Sequence, residues 1–81
     1  MKREEEFNVQ TDKQESLCER IDVLYAKEIA ALPTDTSPYV SYFREGGRLI
    51  ATVTFVYAQS SQEAEFEYKD GVWKRSRDWN D

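Results

Sequence analysis

The stretch that decides the fold is residues 38–79, PYVSYFREGGRLIATVTFVYAQSSQEAEFEYKDGVWKRSRDW. Two glycine-bearing pairs, Gly46-Gly47 and Asp70-Gly71, divide it into alternating aromatic and β-branched segments, the pattern of strands joined by tight turns. Taking Gly46-Gly47 as a two-residue turn sets Glu45 opposite Arg48, Tyr42 opposite Ala51 and Val40 opposite Val53. Side chains alternate between the faces of a strand, so Val40, Tyr42, Leu49, Ala51, Val53, Phe55 and Tyr57 share one apolar face. A four-residue loop, Gln59 to Gln62, then puts Tyr57 opposite Ala64, Phe55 opposite Phe66 and Val53 opposite Tyr68. Glu63, Glu65 and Glu67 fall on the other face beside Thr52, Thr54 and Val56, as in an antiparallel sheet with one side in water. The turn at Asp70-Gly71 pairs Lys69 with Val72, Tyr68 with Trp73 and Glu67 with Lys74. Beyond Trp73 a strict register would direct Arg75, Arg77 and Trp79 to the apolar face. The strand is therefore expected to end or bulge there, or the helix to leave that sheet corner uncovered.

Upstream, Thr11 with Gln14 and Asp12 with Glu15 both have the spacing of a helix-capping box. Leu17, Ile21, Leu24, Tyr25 and Leu32, with Cys18 and Ile29 beside them, make one helical stripe, and Glu15, Glu19, Arg20, Asp22 and Lys27 occupy the other side. Pro33 ends the helix, because proline lacks an N–H and disfavours helix at the residue before it. Cys18 is expected in the core, where free cysteines usually sit. Residues 1–10 read as a flexible or edge-covering arm, with Phe7 and Val9 spaced for a short strand, and residues 11–81 as a single domain. The expected class is α+β: one N-terminal amphipathic helix packed on a four-stranded antiparallel β-meander. This order resembles the cystatin-like layout of a helix against a curved antiparallel sheet, a likeness of layout that carries no function.

Composition narrows the chemistry. The chain has 81 residues, 40% of them hydrophobic and 33% charged, enough apolar material for one small core and a well-solvated surface. Histidine is absent and cysteine occurs once, which removes imidazole and thiolate zinc sites, histidine-dependent triads and intrachain disulfides. No Gly-rich phosphate loop or Ca²⁺ loop is present, so no metal or cofactor is expected. Apolar runs fall short of the roughly 18 residues that read as a membrane span, and a cytoplasmic protein is the expectation. Net charge is −5, with nine acidic and five basic groups in residues 1–37 but four basic and three acidic groups from Lys69 onward. The chain is thus acidic at its helical end and locally basic at its last hairpin.

Three surfaces are candidate sites. The row Glu63, Glu65, Glu67 lacks the desolvation that acid catalysis needs and reads as a wet face, so no enzyme activity is expected. The uncharged strand Tyr39 to Phe43 leaves a free edge, and with Ile50 on the outer face it could be covered by Phe7 to Val9, pair with a second copy as a homodimer, or accept a foreign strand. The segment Trp73, Lys74, Arg75, Ser76, Arg77, Asp78, Trp79 interleaves cations with aromatics. That composition suits a protein interface through Trp and Arg, and it suits single-stranded nucleic acid less well, because the acids dilute the field that phosphates need. The expectation is a small acidic non-enzymatic protein-interaction domain, of the kind found among inhibitors, immunity proteins and accessory proteins. Its partner-binding residues would be Tyr39, Tyr42, Phe43, Ile50, Trp73, Arg75, Arg77 and Trp79. The alternative is a nucleic-acid-binding module using the C-terminal Trp/Arg hairpin.

Overall fold

Gly46 and Gly47 adopt φ of 59° and 81°, and Asp70 and Gly71 55° and 81°, in the computed structural model, which describes residues 3–77. Positive φ at both central residues is the type I′ turn, whose twist matches that of the strands it joins. The elements run β1 (Glu4–Glu5), α1 (Thr11–Leu24), α2 (Ala26–Ala30), β2 (Tyr39–Glu45), β3 (Arg48–Val56), β4 (Ser61–Lys69) and β5 (Val72–Arg77). The strands form one antiparallel sheet in the order β1-β2-β3-β4-β5, so the α+β class holds with five strands rather than four.

The two glycine hairpins have the expected register. Glu45 faces Arg48, Tyr42 faces Ala51 and Val40 faces Val53; Lys69 faces Val72, Tyr68 faces Trp73 and Glu67 faces Lys74. The middle hairpin does not. Val53 pairs with Ala64, Ala51 with Phe66 and Leu49 with Tyr68, four residues away from the expected register, because Tyr57 N–H bonds to the Ser60 carbonyl at 2.8 Å around Ala58-Gln59. The slip is even, so every side chain stays on its expected face.

Leu17, Ile21 and Tyr25 bury the helical layer against Leu49, Ala51, Val53, Phe55, Ala64, Phe66 and Trp73. The Tyr25 ring lies 5.3 Å from Phe55 and 6.2 Å from Phe66, the latter edge-on, a favoured aromatic arrangement. The stripe is narrower than expected: Leu24 is partly exposed and Cys18 is exposed rather than in the core. Buried positions advance by four residues, 17, 21, 25, and Cys18 and Leu24 fall off that line.

The helix is also interrupted. Tyr25, at φ −125° and ψ 34°, separates α1 from α2, and the Tyr57 hydroxyl donates to the Glu28 carbonyl of α2 at 3.2 Å. Neither expected capping box forms. Gln10 occupies the N-cap without a side-chain bond, while the Gln14 side chain reaches back to the Val9 carbonyl at 2.9 Å.

Candidate functional site

The two edges of the sheet are treated differently, and the difference locates the candidate site. At the β2 edge the chain supplies its own strand, but through Glu4–Glu5 and Glu6 rather than the expected Phe7 to Val9. Glu4 pairs with Arg44, Glu5 with Phe43, and Glu6 N–H donates to the Tyr42 carbonyl at 2.8 Å. Phe7, expected to pair, is 81% exposed. Charge explains the choice, since Glu6 accepts from Arg44 Nε at 3.0 Å and this pulls the Glu6 carboxyl below its ordinary pKa, helped by the Asn8 backbone N–H.

Arg3 fastens this arm to the outer face of the sheet. Its guanidinium lies 3.0 Å from Glu45 and 3.1 Å from Glu65, and 5.2 Å from the centroid of the Phe43 ring. Glu45 is level with Arg48 and Glu65 with Thr52, so Arg3 crosses β3 at the level of Ile50. Arg48 to Glu45 and Glu67, and Arg77 to Glu65, complete an outer layer of alternating charge. Arg3 is held charged by Glu45 first, against the cost of burial.

Against this geometry the expected binding residues separate. Tyr39, 72% exposed, is on the surface, and Phe43 is half-buried under Arg3. Ile50 is 2% exposed and so presents no anchor, a correction that follows from the arm and its ion pairs lying over that face. Tyr42 packs at the margin of the core with its ring 6.0 Å from that of Trp73, and burial pushes its hydroxyl pKa up. Trp73 is likewise no surface anchor. It is 2% exposed, its indole N–H donates to the Lys13 carbonyl at 2.8 Å, and Tyr68 packs edge-on at 5.1 Å. Trp79 lies outside the described residues.

Of the two arginines that fitted poorly in a strict register, Arg77 is moved by a bulge and Arg75 keeps its place opposite Phe66. Phe66 faces Arg75, but Glu65 faces Arg77, so Ser76 is the extra residue. The Ser76 hydroxyl donates to the Glu65 carbonyl at 3.1 Å. Without the bulge Arg77 would stand opposite Ala64, which is buried; with it, Arg77 moves to the outer face, 3.7 Å from Glu65. Arg75 is exposed at the helix-side margin of β5.

Beyond β5 no strand pairs among the described residues. Beside this open edge a groove of about 430 Å³ runs between the flank of α1, at Glu19, Arg20 and Val23, and β5, at Val72, Trp73 and Lys74. Val23 is 78% exposed and Val72 about half exposed, so an apolar strip borders two cations and one carboxylate. A second groove of about 310 Å³, on the β2 side of the helix, is lined by Cys18, Ile21, Asp22, Ile29, Pro38 and Val40. Val23 has no place in the helical stripe expected from the sequence, and the first groove was not foreseen. The signal available was that it breaks the charged side of the helix between Asp22 and Leu24. Among the described residues no cluster of carboxylates or thiols has the arrangement of a metal site, and no helix is long and apolar enough to cross a membrane.

Comparison of the chain with protein-family models, with curated proteins and with solved structures gives no match. Fold and site define a two-layer α+β domain in which, among the described residues, one sheet edge is partly covered by the chain's own arm and the other is unpaired beside an apolar groove.

Proposed function

We propose that this chain is a small acidic, non-enzymatic protein-interaction domain that works by occupying another protein's surface in the cytoplasm, as inhibitors, immunity proteins and accessory proteins of this size do. The observation that carries the reading is the open β5 edge beside the groove bordered by Val23 and Val72. Monomeric proteins manage exposed edges and apolar strips because both invite association. Among the described residues the chain covers part of one edge and leaves the other beside Val23, which is 78% exposed. Arg75 and Arg77 follow along β5 at this surface, whereas Tyr39 and Phe43 lie on β2 at the other side of the sheet. A homodimer through Tyr39 to Phe43 would have to displace Glu4–Glu6 from part of that edge.

The nucleic-acid reading draws support from the same cations but needs exposed rings on which bases stack. Trp73 is buried, and the Tyr68 ring carries Lys13 Nζ at 4.9 Å. The test is recovery of bound protein from a native extract with the wild-type chain, Val23→Asp and Phe43→Asp. A partner retained by wild type and Phe43→Asp but lost by Val23→Asp supports the reading. Equal recovery by all three, or no protein recovered, contradicts it. Tight binding of an oligonucleotide that falls steeply with salt would favour the alternative.

A further inference from the structure

We infer that the β5 edge takes an extended, acidic segment of the partner as a sixth strand, with alternate side chains of that segment entering the α1/β5 groove. This rests on the interaction reading above and names the occupant.

The edge is available in a defined way. The type I′ turn makes Lys69 and Val72 a mutually bonded pair, so Glu67 and Lys74 form the next such pair along the ladder. Trp73, lying between them, turns its backbone N–H and C=O away from β4. A strand added there would lie about 4.8 Å beyond β5 and under the flank of α1 that carries Arg20 and Val23. Every second side chain would then point into the groove, where an apolar group meets Val23, and those between would lie beside Val72 and Lys74 on the other face of β5.

Charge selects among possible strands. Arg20 and Lys74 line the groove with Glu19, and Arg75 and Arg77 follow on the same strand. Lys74 has an exposed partner in Asp70 at 4.0 Å and Arg77 one in Glu65 at 3.7 Å, yet the cations outnumber the acids along this edge although the chain as a whole carries −5. Two copies meeting edge to edge would oppose Lys74, Arg75 and Arg77 to one another, which disfavours self-pairing and basic segments alike. The opposite edge shows the same preference, because the strand that the sheet already accepts there is Glu4–Glu5, followed by Glu6 on Arg44 at 3.0 Å. The Ser76 bulge ends the regular ladder, so the seat spans Val72 to Arg75 and suits a short segment.

The experiment titrates the full chain, observed by amide NMR, with three probes: a blocked peptide alternating valine and glutamate, its lysine-for-glutamate counterpart, and oligo-dT. The expected result is binding of the glutamate peptide at least about tenfold tighter than the other two, with the Trp73 amide newly protected from exchange. Val23→Asp and Lys74→Glu, both on exposed positions, should each weaken it about tenfold or more, and Tyr39→Ala should leave it unchanged. Equal binding of the two peptides, protection at Tyr39 to Ser41 instead, tighter binding of oligo-dT, or no binding at millimolar peptide overturns the inference. If the peptide fails while Val23→Asp still abolishes recovery of a protein from the extract, the strand proposal falls and the interaction reading stands. If Val23→Asp alters neither, both fall.

Discussion

Replacing Trp73 by Phe separates a core tryptophan from an interface tryptophan. The indole N–H to Lys13 carbonyl bond, 2.8 Å long, ties the sheet to the first turn of α1. Its loss costs about 1 kcal/mol, since Lys13 O still has a helical donor and is not left orphaned. Phenylalanine also leaves roughly 40 Å³ unfilled between Tyr42 and Tyr68, another ~1 kcal/mol at about 24 cal/mol per Å³. The sum of about 2 kcal/mol corresponds to a fall in Tm of about 8–16 °C for a domain of this size. Thermal melts followed by far-ultraviolet circular dichroism measure it directly, with Val72→Ala as a neighbour on the exposed side expected to change stability by less than ~0.5 kcal/mol. A Trp73→Phe protein as stable as wild type would refute the helix–sheet docking described here. An interface role would instead leave stability intact and weaken binding.

Other outcomes follow from the arm and the helix. Arg3→Ala should destabilise by no more than ~1 kcal/mol, the scale of surface ion pairs, and the difference should shrink in high salt; a salt-independent difference in urea melts would contradict the ionic fastening. The Glu6 carboxyl has a lowered pKa in the folded chain, so its contribution to holding the arm is fully present above its ordinary 4.5 and is lost as pH falls through the lowered value. Exchange of the Glu6 amide, corrected for intrinsic rates, should therefore accelerate on acidification below that range, and Glu6→Gln should weaken that pH dependence. Cys18 should react with a thiol reagent in the native protein at nearly the rate of the unfolded chain; slow native labelling would return it to the core.

Legibility followed the physics of each element. Gly46-Gly47 and Asp70-Gly71 could be read because positive φ at two successive positions is costly for most residues, so those turns are written in residue type. Ala58-Gln59 carries no such mark, and hydrophobic alternation distinguishes odd from even shifts but not one even shift from another. The faces of β3 and β4 were therefore legible while their pairing was not. The poor fit of Arg75 and Arg77 is legible in the register; the Ser76 bulge resolves it for Arg77, and Arg75 stays on the helix side, exposed at the sheet margin. Burial of Ile50 was hidden, because it depends on Arg3 reaching Glu45 and Glu65 across positions 42 and 62 residues away. Glu4–Glu6 reads from sequence only as part of the arm, with Phe7 to Val9 as its strand; pairing with Arg44 and Phe43 makes Glu4–Glu5 the strand instead. For the site, the basic aromatic segment was found by its sequence, but Trp73 exchanged a surface role for a core one, and the groove at Val23 emerged only once α1 was laid against β5.

Amide hydrogen exchange of the free chain at residue resolution tests the open edge most directly. With β5 open, the Trp73 N–H should exchange far faster than those of Glu67 and Lys74, which bond to one another across the last hairpin, even though the Trp73 side chain is among the most buried. A Trp73 amide as slow as those of Ala51 and Val53 in β3 would mean that the edge is already covered, and the proposed binding surface would be wrong.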